Sequence, residues 1–424
     1  MVACTSPTHR HLSNSAPTRS AMSRSRRTRT PAVVAGAVAA VLAASPAPAA
    51  PLAAPATGNT WSADLAGIDS DDVNVRWTGT ELRLADPAYR PAARRGIAAE
   101  GTLLVAPHSL AAPANRVRAD VVAVPARDGA VEVAARGWRS GAWTEWRAVA
   151  GAAVFDQPVT RVQIRVVLTA DRPSAAPSLR TVRLTADSVA AVTAATPGLT
   201  YRVYATREGL VGGTTANGHV IVSRDHFVAL PSFRGLAPKN TGDYTVRVCT
   251  TTRSRCEYAP VWDVGPWNTK DDYWNPSSTR EMWKDLPQGR PEAQAAYQSG
   301  YNGGRDQFGR VVGSPAGIDL ADGTFWDGLL LTDNAWVDVA YLWTGTGTRG
   351  RIGSGPLNIR SGPSTSNPVV GLAATYADVP IECSVSGQSV SGPYRTTTQW
   401  NRLASGHFVS HAYVSSVTGT IAPC

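Results

Sequence analysis

The feature that most limits the folds open to this chain is a series of short segments in which apolar and polar residues alternate. They include Asn74-Val-Arg-Trp77, Arg116-Val-Arg-Ala-Asp-Val-Val122, Val131-Glu-Val-Ala134, Arg161-Val-Gln-Ile-Arg-Val-Val-Leu168 and Leu179-Arg-Thr-Val-Arg-Leu184. Successive side chains of a strand point to opposite faces, so a period of two predicts half-buried antiparallel strands. Turns fall at Arg127-Asp-Gly129 and Asp171-Arg-Pro173. The pattern predicts a β-sandwich over 61–188.

At about 150 residues per domain, 424 residues leave room for two or three domains. A 43% apolar content supports real cores, and 17% charged residues exclude a charge-driven disordered chain. The net charge is +9, but six arginines (Arg10, Arg19, Arg24, Arg26, Arg27, Arg29) and no acid lie in the first 49 residues. Taking those six away leaves +3, which gives no nucleic-acid footprint. An apolar run over 31–45 follows the arginines and leads to Ala47-Pro-Ala49. This is the order of a secretory signal peptide, predicted over 1–49 with a linker over 50–60. The run is short and Ala-rich for a membrane span. An uncleaved anchor is the alternative, Arg26-Arg27 leaves a twin-arginine route open, and the start is Met1 or Met22. A secreted protein with no stable membrane insertion after cleavage is expected.

Cysteine usage agrees with export. Cys4 falls in the leader, and Cys249, Cys256, Cys383 and Cys424 form an even set suited to two disulfides. Cys249 and Cys256 flank a hairpin tip, which leaves Cys383 to join Cys424. Zinc is the rival reading, but no C-x-x-C pair occurs.

Toward the C-terminus, Leu357-Asn-Ile-Arg-Ser-Gly-Pro-Ser364 is followed by Val379-Pro-Ile-Glu-Cys383, Trp400-Asn-Arg-Leu403 and Phe408-Val-Ser-His-Ala-Tyr-Val414. This succession resembles bacterial SH3 (SH3b) domains. It implies an SH3-like barrel over 350–424 that binds cell-wall peptidoglycan or partner proteins.

The central region carries Thr215-Ala-Asn-Gly218, then His226-Phe-Val-Ala-Leu-Pro231, then Val261-Trp-Asp-Val-Gly-Pro266. Gly317-Ile-Asp-Leu320 and Val337-Asp-Val-Ala-Tyr341 follow. In this order the motifs resemble the double-psi β-barrel of the RlpA and expansin family, here over 199–345. Two departures stand out. His219 follows the T-A-N-G motif where RlpA proteins commonly carry Glu, and a long, partly helical insertion over 268–314 replaces a short loop. Within it, the stretch Pro276 to Gly300, with Arg280-Glu-Met-Trp-Lys-Asp-Leu286, reads as more helical in character.

The resemblance carries the family's polar-groove residues to Asp263, Asp319 and His226. Two carboxyls on one groove floor suit glycoside chemistry, one donating a proton and the other acting as base or stabilising positive charge. Apolar neighbours, Ile318, Leu320, Phe325 and Trp326, point to Asp319 as proton donor. Asp263, before a Gly-Pro turn read as exposed, is the ionised partner. Thr215, Asn217, Trp262, Trp267, Tyr273 and Trp274 are expected to line the groove and bind substrate. The bland alternatives are a turn cap for Asp263, a buried anchor for Asp319 and core packing for the insertion's aromatics.

Three tryptophans, Trp138, Trp143 and Trp146, share a turn in the first module. That module loosely resembles the galactose-binding-like jelly rolls, which implies carbohydrate binding; a spacer is the plainer reading. The fold class expected is mainly β, in three modules. Two functions follow: a monomeric, cofactor-free and metal-free enzyme that cleaves peptidoglycan or another wall polysaccharide, or a non-catalytic expansin-like protein that binds and remodels the wall.

Overall fold

A computed structural model describes residues 59–92, 98–124, 126, 129–139, 141–149, 152–173, 176–189 and 198–424. The expected leader and most of the 50–60 linker lie outside the described residues. Strands hold 48% of the structure and helices 9%, so the fold is mainly β. Among the described residues no helix is long and apolar enough to cross a membrane.

The first module is a ten-stranded antiparallel sheet wrapped around its own apolar core. Its spine is Ala153–Ala170, whose first half pairs with His108–Val124 and whose second half lies between Ala99–Leu104 and Gly129–Arg139. One strand serves both partners because the register slips near Ala114, where bulges let the sheet bend. The second half is buried on both faces. Gln163 and Arg165, which occupy the polar positions of the alternation, are 6% and 3% exposed. That face docks on the central module, with the Arg165 guanidinium 5.3 Å from the Phe233 ring centre.

The central module is a closed six-stranded barrel. Its strands are β1 (Leu199–Arg207), β2 (Val228–Leu230), β3 (Thr245–Thr250), β4 (Cys256–Val264), β5 (Ala316–Leu320) and β6 (Ala335–Tyr341). They pair in the order β2-β5-β1-β6-β3-β4, and β4 returns to β2 to close the ring. The β1–β5 and β2–β4 pairs are parallel and the others antiparallel. Val203, Val246, Val248, Val261, Ile318, Val337 and Val339 fill the core.

Between β4 and β5 the insertion holds one short helix, α1 (Glu292–Ser299). It begins after Pro291 and ends on the left-handed Gly300. Of the helical character expected over 276–300, α1 is present and the 280–286 part is not helical. Trp283 takes φ +58°, which a right-handed helix cannot hold, and the Arg280 side chain is pulled inward onto the buried Asp271 carboxylate.

The last module has seven strands between Arg349 and Thr418 around Ile352, Ile359, Val379, Ile381, Leu403, Val409 and Val414. It does not hang from the barrel by a linker alone. Cys256–Tyr258 of β4 pairs in parallel with Gly371–Ala373, so one hydrogen-bonded sheet runs through both modules. This contact requires glycine at 371, where a Cβ would lie 2.1 Å from the Cys256 carbonyl oxygen. Gly371→Ala is expected to force the strands apart and cost about 1–3 kcal/mol, read as a lower melting temperature. Cys249–Cys256 bridges directly opposed residues of the β3–β4 hairpin, and Cys383–Cys424 ties down the C-terminus.

Candidate functional site

Strand register assembles the site. On the β4–β2–β5 row, Asp263 and Asp319 both pair with Ala229 from opposite sides. Neighbouring strands lie about 4.8 Å apart, so two carboxyls separated by one small alanine can interact across it. β1 extends the row by setting Thr206 beside Asp319. Thr206 donates its hydroxyl hydrogen to Asp319 Oδ1. Glu208 follows directly after the end of β1, where its N–H donates to the Leu320 carbonyl of β5 at 2.9 Å.

The carboxyls occupy different protonation environments. Asp263 is fully buried, and its Oδ1 accepts from the backbone N–H groups of Ala216 (2.8 Å) and Val264 (2.7 Å). The Ala216 bond fixes the T-A-N-G turn against the barrel. Glu208 is pushed well above the usual carboxylate range by burial, then by the Asp263 charge. It is therefore the protonated partner of that pair. Burial pushes the Asp319 carboxyl up to about 7, the Thr206 hydrogen bond opposes this, and the Asp263 charge adds to it. The result is one anchored carboxylate, one neutral acid and one carboxyl poised to exchange a proton near neutrality. Asp263→Ala would leave two buried N–H groups unpaired. It is expected to cost about 2–5 kcal/mol, seen in the denaturant midpoint.

The site is closed. Both Glu208 oxygens are inaccessible to solvent. A segment of the first module covers the turn at 213–218: the Ala92 N–H donates to the Thr214 carbonyl at 2.8 Å.

The other expected site residues lie elsewhere. His226 is not beside Asp319 but pairs through Nδ1 with Glu257 Oε1 at 2.9 Å, and Thr324 donates to the same oxygen. Burial disfavours the His226 charge, yet Glu257 outweighs it and raises the pKa above the ordinary value. Thr215 and Asn217 do not face a groove; they are buried and bond to each other and to the backbone of His219 and Ala237. Trp262 is 6% exposed and packs against His219, Phe227 and Tyr376. Tyr273 and Trp274 are core residues with no exposed face. Tyr273 hydrogen-bonds Tyr341 and Gly317, and the Trp274 indole donates to Glu145 of the first module at 2.6 Å, as Trp343 does at 2.7 Å. None of these buried side chains can stack on a sugar. Trp267 is partly exposed and packs on the insertion. Asp263 itself lies in the interior and not at an exposed turn.

Glu208 was not singled out from the sequence. The signal available is that it is the sole acid of the 199–218 stretch and lies two residues past Thr206. An exposed aromatic also lies near. Trp326 is 37% exposed, with the Arg207 and Arg224 guanidiniums 4.7 and 4.8 Å from its ring centre. Arg207 in turn pairs with Asp322 at 2.6 Å, next to the cluster.

Residues 199–340, the span from the start of β1 to the penultimate residue of β6, match a family described as a domain of unknown function (DUF8814). A 76-residue stretch, 16% of this chain, is 40% identical to the uncharacterized protein YraI of Bacillus subtilis (strain 168). The chain spans about 62% of the length of that relative. No solved structure matches the chain.

Proposed function

We propose that the chain is an exported, cell-wall-associated protein whose central barrel performs acid–base chemistry on a wall glycan, peptidoglycan or another polysaccharide. The observation that carries this reading is the placing of Asp263 and Asp319 on either side of Ala229, with Glu208 near them and burial pushing the Asp319 carboxyl up to about 7. A proton donor of that kind suits protonation of a glycosidic oxygen. Two parallel pairs within a closed six-strand ring support assigning the barrel to the double-psi type of the RlpA and expansin family. The small C-terminal module, stapled by Cys383–Cys424, is assigned as an SH3b-like wall anchor, and the first module as a jelly-roll-like carbohydrate binder.

A second reading, an expansin-like protein that binds and loosens the wall without cleavage, is favoured by the closure of the site. Incubation of the full chain with purified wall separates the two. Soluble fragments in the supernatant support cleavage, co-sedimentation with no fragments supports the second reading, and neither contradicts both.

A further inference from the structure

The T-A-N-G turn lies between the barrel carboxyls and the first module. On its inner side the Ala216 N–H donates to Asp263 Oδ1 at 2.8 Å. On its outer side three separate parts of the first module press against it. The Ala92 N–H donates to the Thr214 carbonyl at 2.8 Å, and a Cβ at Gly213 would lie 2.5 Å from the Ala92 Cβ. A Cβ at Gly218 would lie 2.7 Å from Val73 Cγ2, and Ala216 shares an apolar cluster with Val167. Ala92 itself is buried within the barrel's own core cluster. Thr215 and Asn217, expected to face a substrate, thus sit in a turn whose outer side is occupied by the chain's own first module.

The part of that cover at 87–92 is loosely tied to its own module. It belongs to no strand. Among the described residues its backbone bonds reach only two places, Asp86 beside it through the Tyr89 N–H and the turn through the Ala92 N–H. It can therefore lift without breaking the sheet, as segments with few bonds do first. The Tyr89 hydroxyl is enclosed with no hydrogen-bond partner among the described residues. Burial raises its pKa, and the Glu100 and Asp263 charges add to this, so the segment lies within the field of the barrel carboxylate. An unpartnered hydroxyl regains water when it is uncovered, which offsets part of the cost of lifting.

We infer that segment 87–92 is an autoinhibitory strap: laid on the T-A-N-G turn it keeps substrate from the barrel carboxyls, and the site opens when the strap lifts. The wild type then acts through a small lifted population. The inference rests on the proposed barrel chemistry for what the open site does, and the test below separates the two.

The test compares the full chain with two strap variants, each checked for folding by circular dichroism. Ala92→Glu sets a carboxylate against the turn and near Asp263, which repels the strap. Should it fail to fold, Tyr89→Ala removes the ring that seats the strap and adds no charge. Access is read by carbodiimide coupling of glycine amide, with modified Glu208 located by peptide mass spectrometry. Glu208 labelling is expected to rise about tenfold or more, the change that about 1.4 kcal/mol of lost contact gives. Fragment release from purified wall should rise with it. Raised labelling without release upholds the strap and removes cleavage from the barrel. Three results overturn the strap: wild-type Glu208 labelling as fast as in the unfolded chain, labelling unchanged in the folded variants, or release that rises while labelling does not.

Discussion

Asp319→Asn is expected to lower fragment release from purified wall by about 10²–10⁴-fold, the usual worth of one general acid. Asparagine matches aspartate in shape and can still accept from Thr206 Oγ1, so the β1–β5 contact should survive. What disappears is the exchangeable proton. Glycan binding should persist, because neither Trp326 nor the C-terminal module is touched. The pH profile supplies the second arm of the test. With its carboxyl pushed up to about 7, Asp319 keeps its proton in mild acid and loses it as pH rises through neutrality. Wild-type cleavage should therefore fall above about pH 7. Equal cleavage by variant and wild type, with the fold verified by circular dichroism, would remove Asp319 from the chemistry.

The second large effect is on stability. Burial raises Asp319 and Glu292 each to about 7, and Asp263 and Asn268, respectively, modify those values. A folded pKa above the unfolded one means extra protons are bound in the folded state. The associated stability is full below the unfolded value, near pH 4, and is lost as pH rises through 7. Each of these two groups should cost about 2.5 kcal/mol between pH 5 and pH 8. His226, raised by Glu257 against its burial, acts in the same direction. Melting temperature is therefore expected to fall by roughly 10 °C from pH 5 to pH 8. A flat or rising curve across that window would show that these carboxyls are not held protonated in the folded chain.

Much of the strand content was legible because alternation is a local property. Arg161 to Leu168 reads as a strand and is one. What the pattern could not tell is that its polar face, Gln163 and Arg165, is buried against a second module. Alternation records which residues are polar, not what later packs on them. The same limit explains the aromatics. Tyr273 and Trp274 look like a sugar platform in sequence, yet their hydroxyl and indole N–H groups have partners at Tyr341 and Glu145, remote in the chain. The carboxyl row was half legible. Asp263 and Asp319 stand in motifs, whereas Glu208 joins them only through β1–β5 register. His226, from an equally visible motif, turns instead to Glu257 on the far end of β4.

The central claim is that the Asp319 carboxyl holds a proton near neutrality inside the barrel. Carbon NMR of the full chain, labelled with ¹³C at aspartate carboxyls, reads this directly. The account predicts an aspartate signal with a midpoint near 7 that is missing from Asp319→Asn, while the signal of Asp71, also raised to about 7, remains. A wild-type spectrum in which the signal lost in that variant has already finished titrating below pH 5 would contradict it.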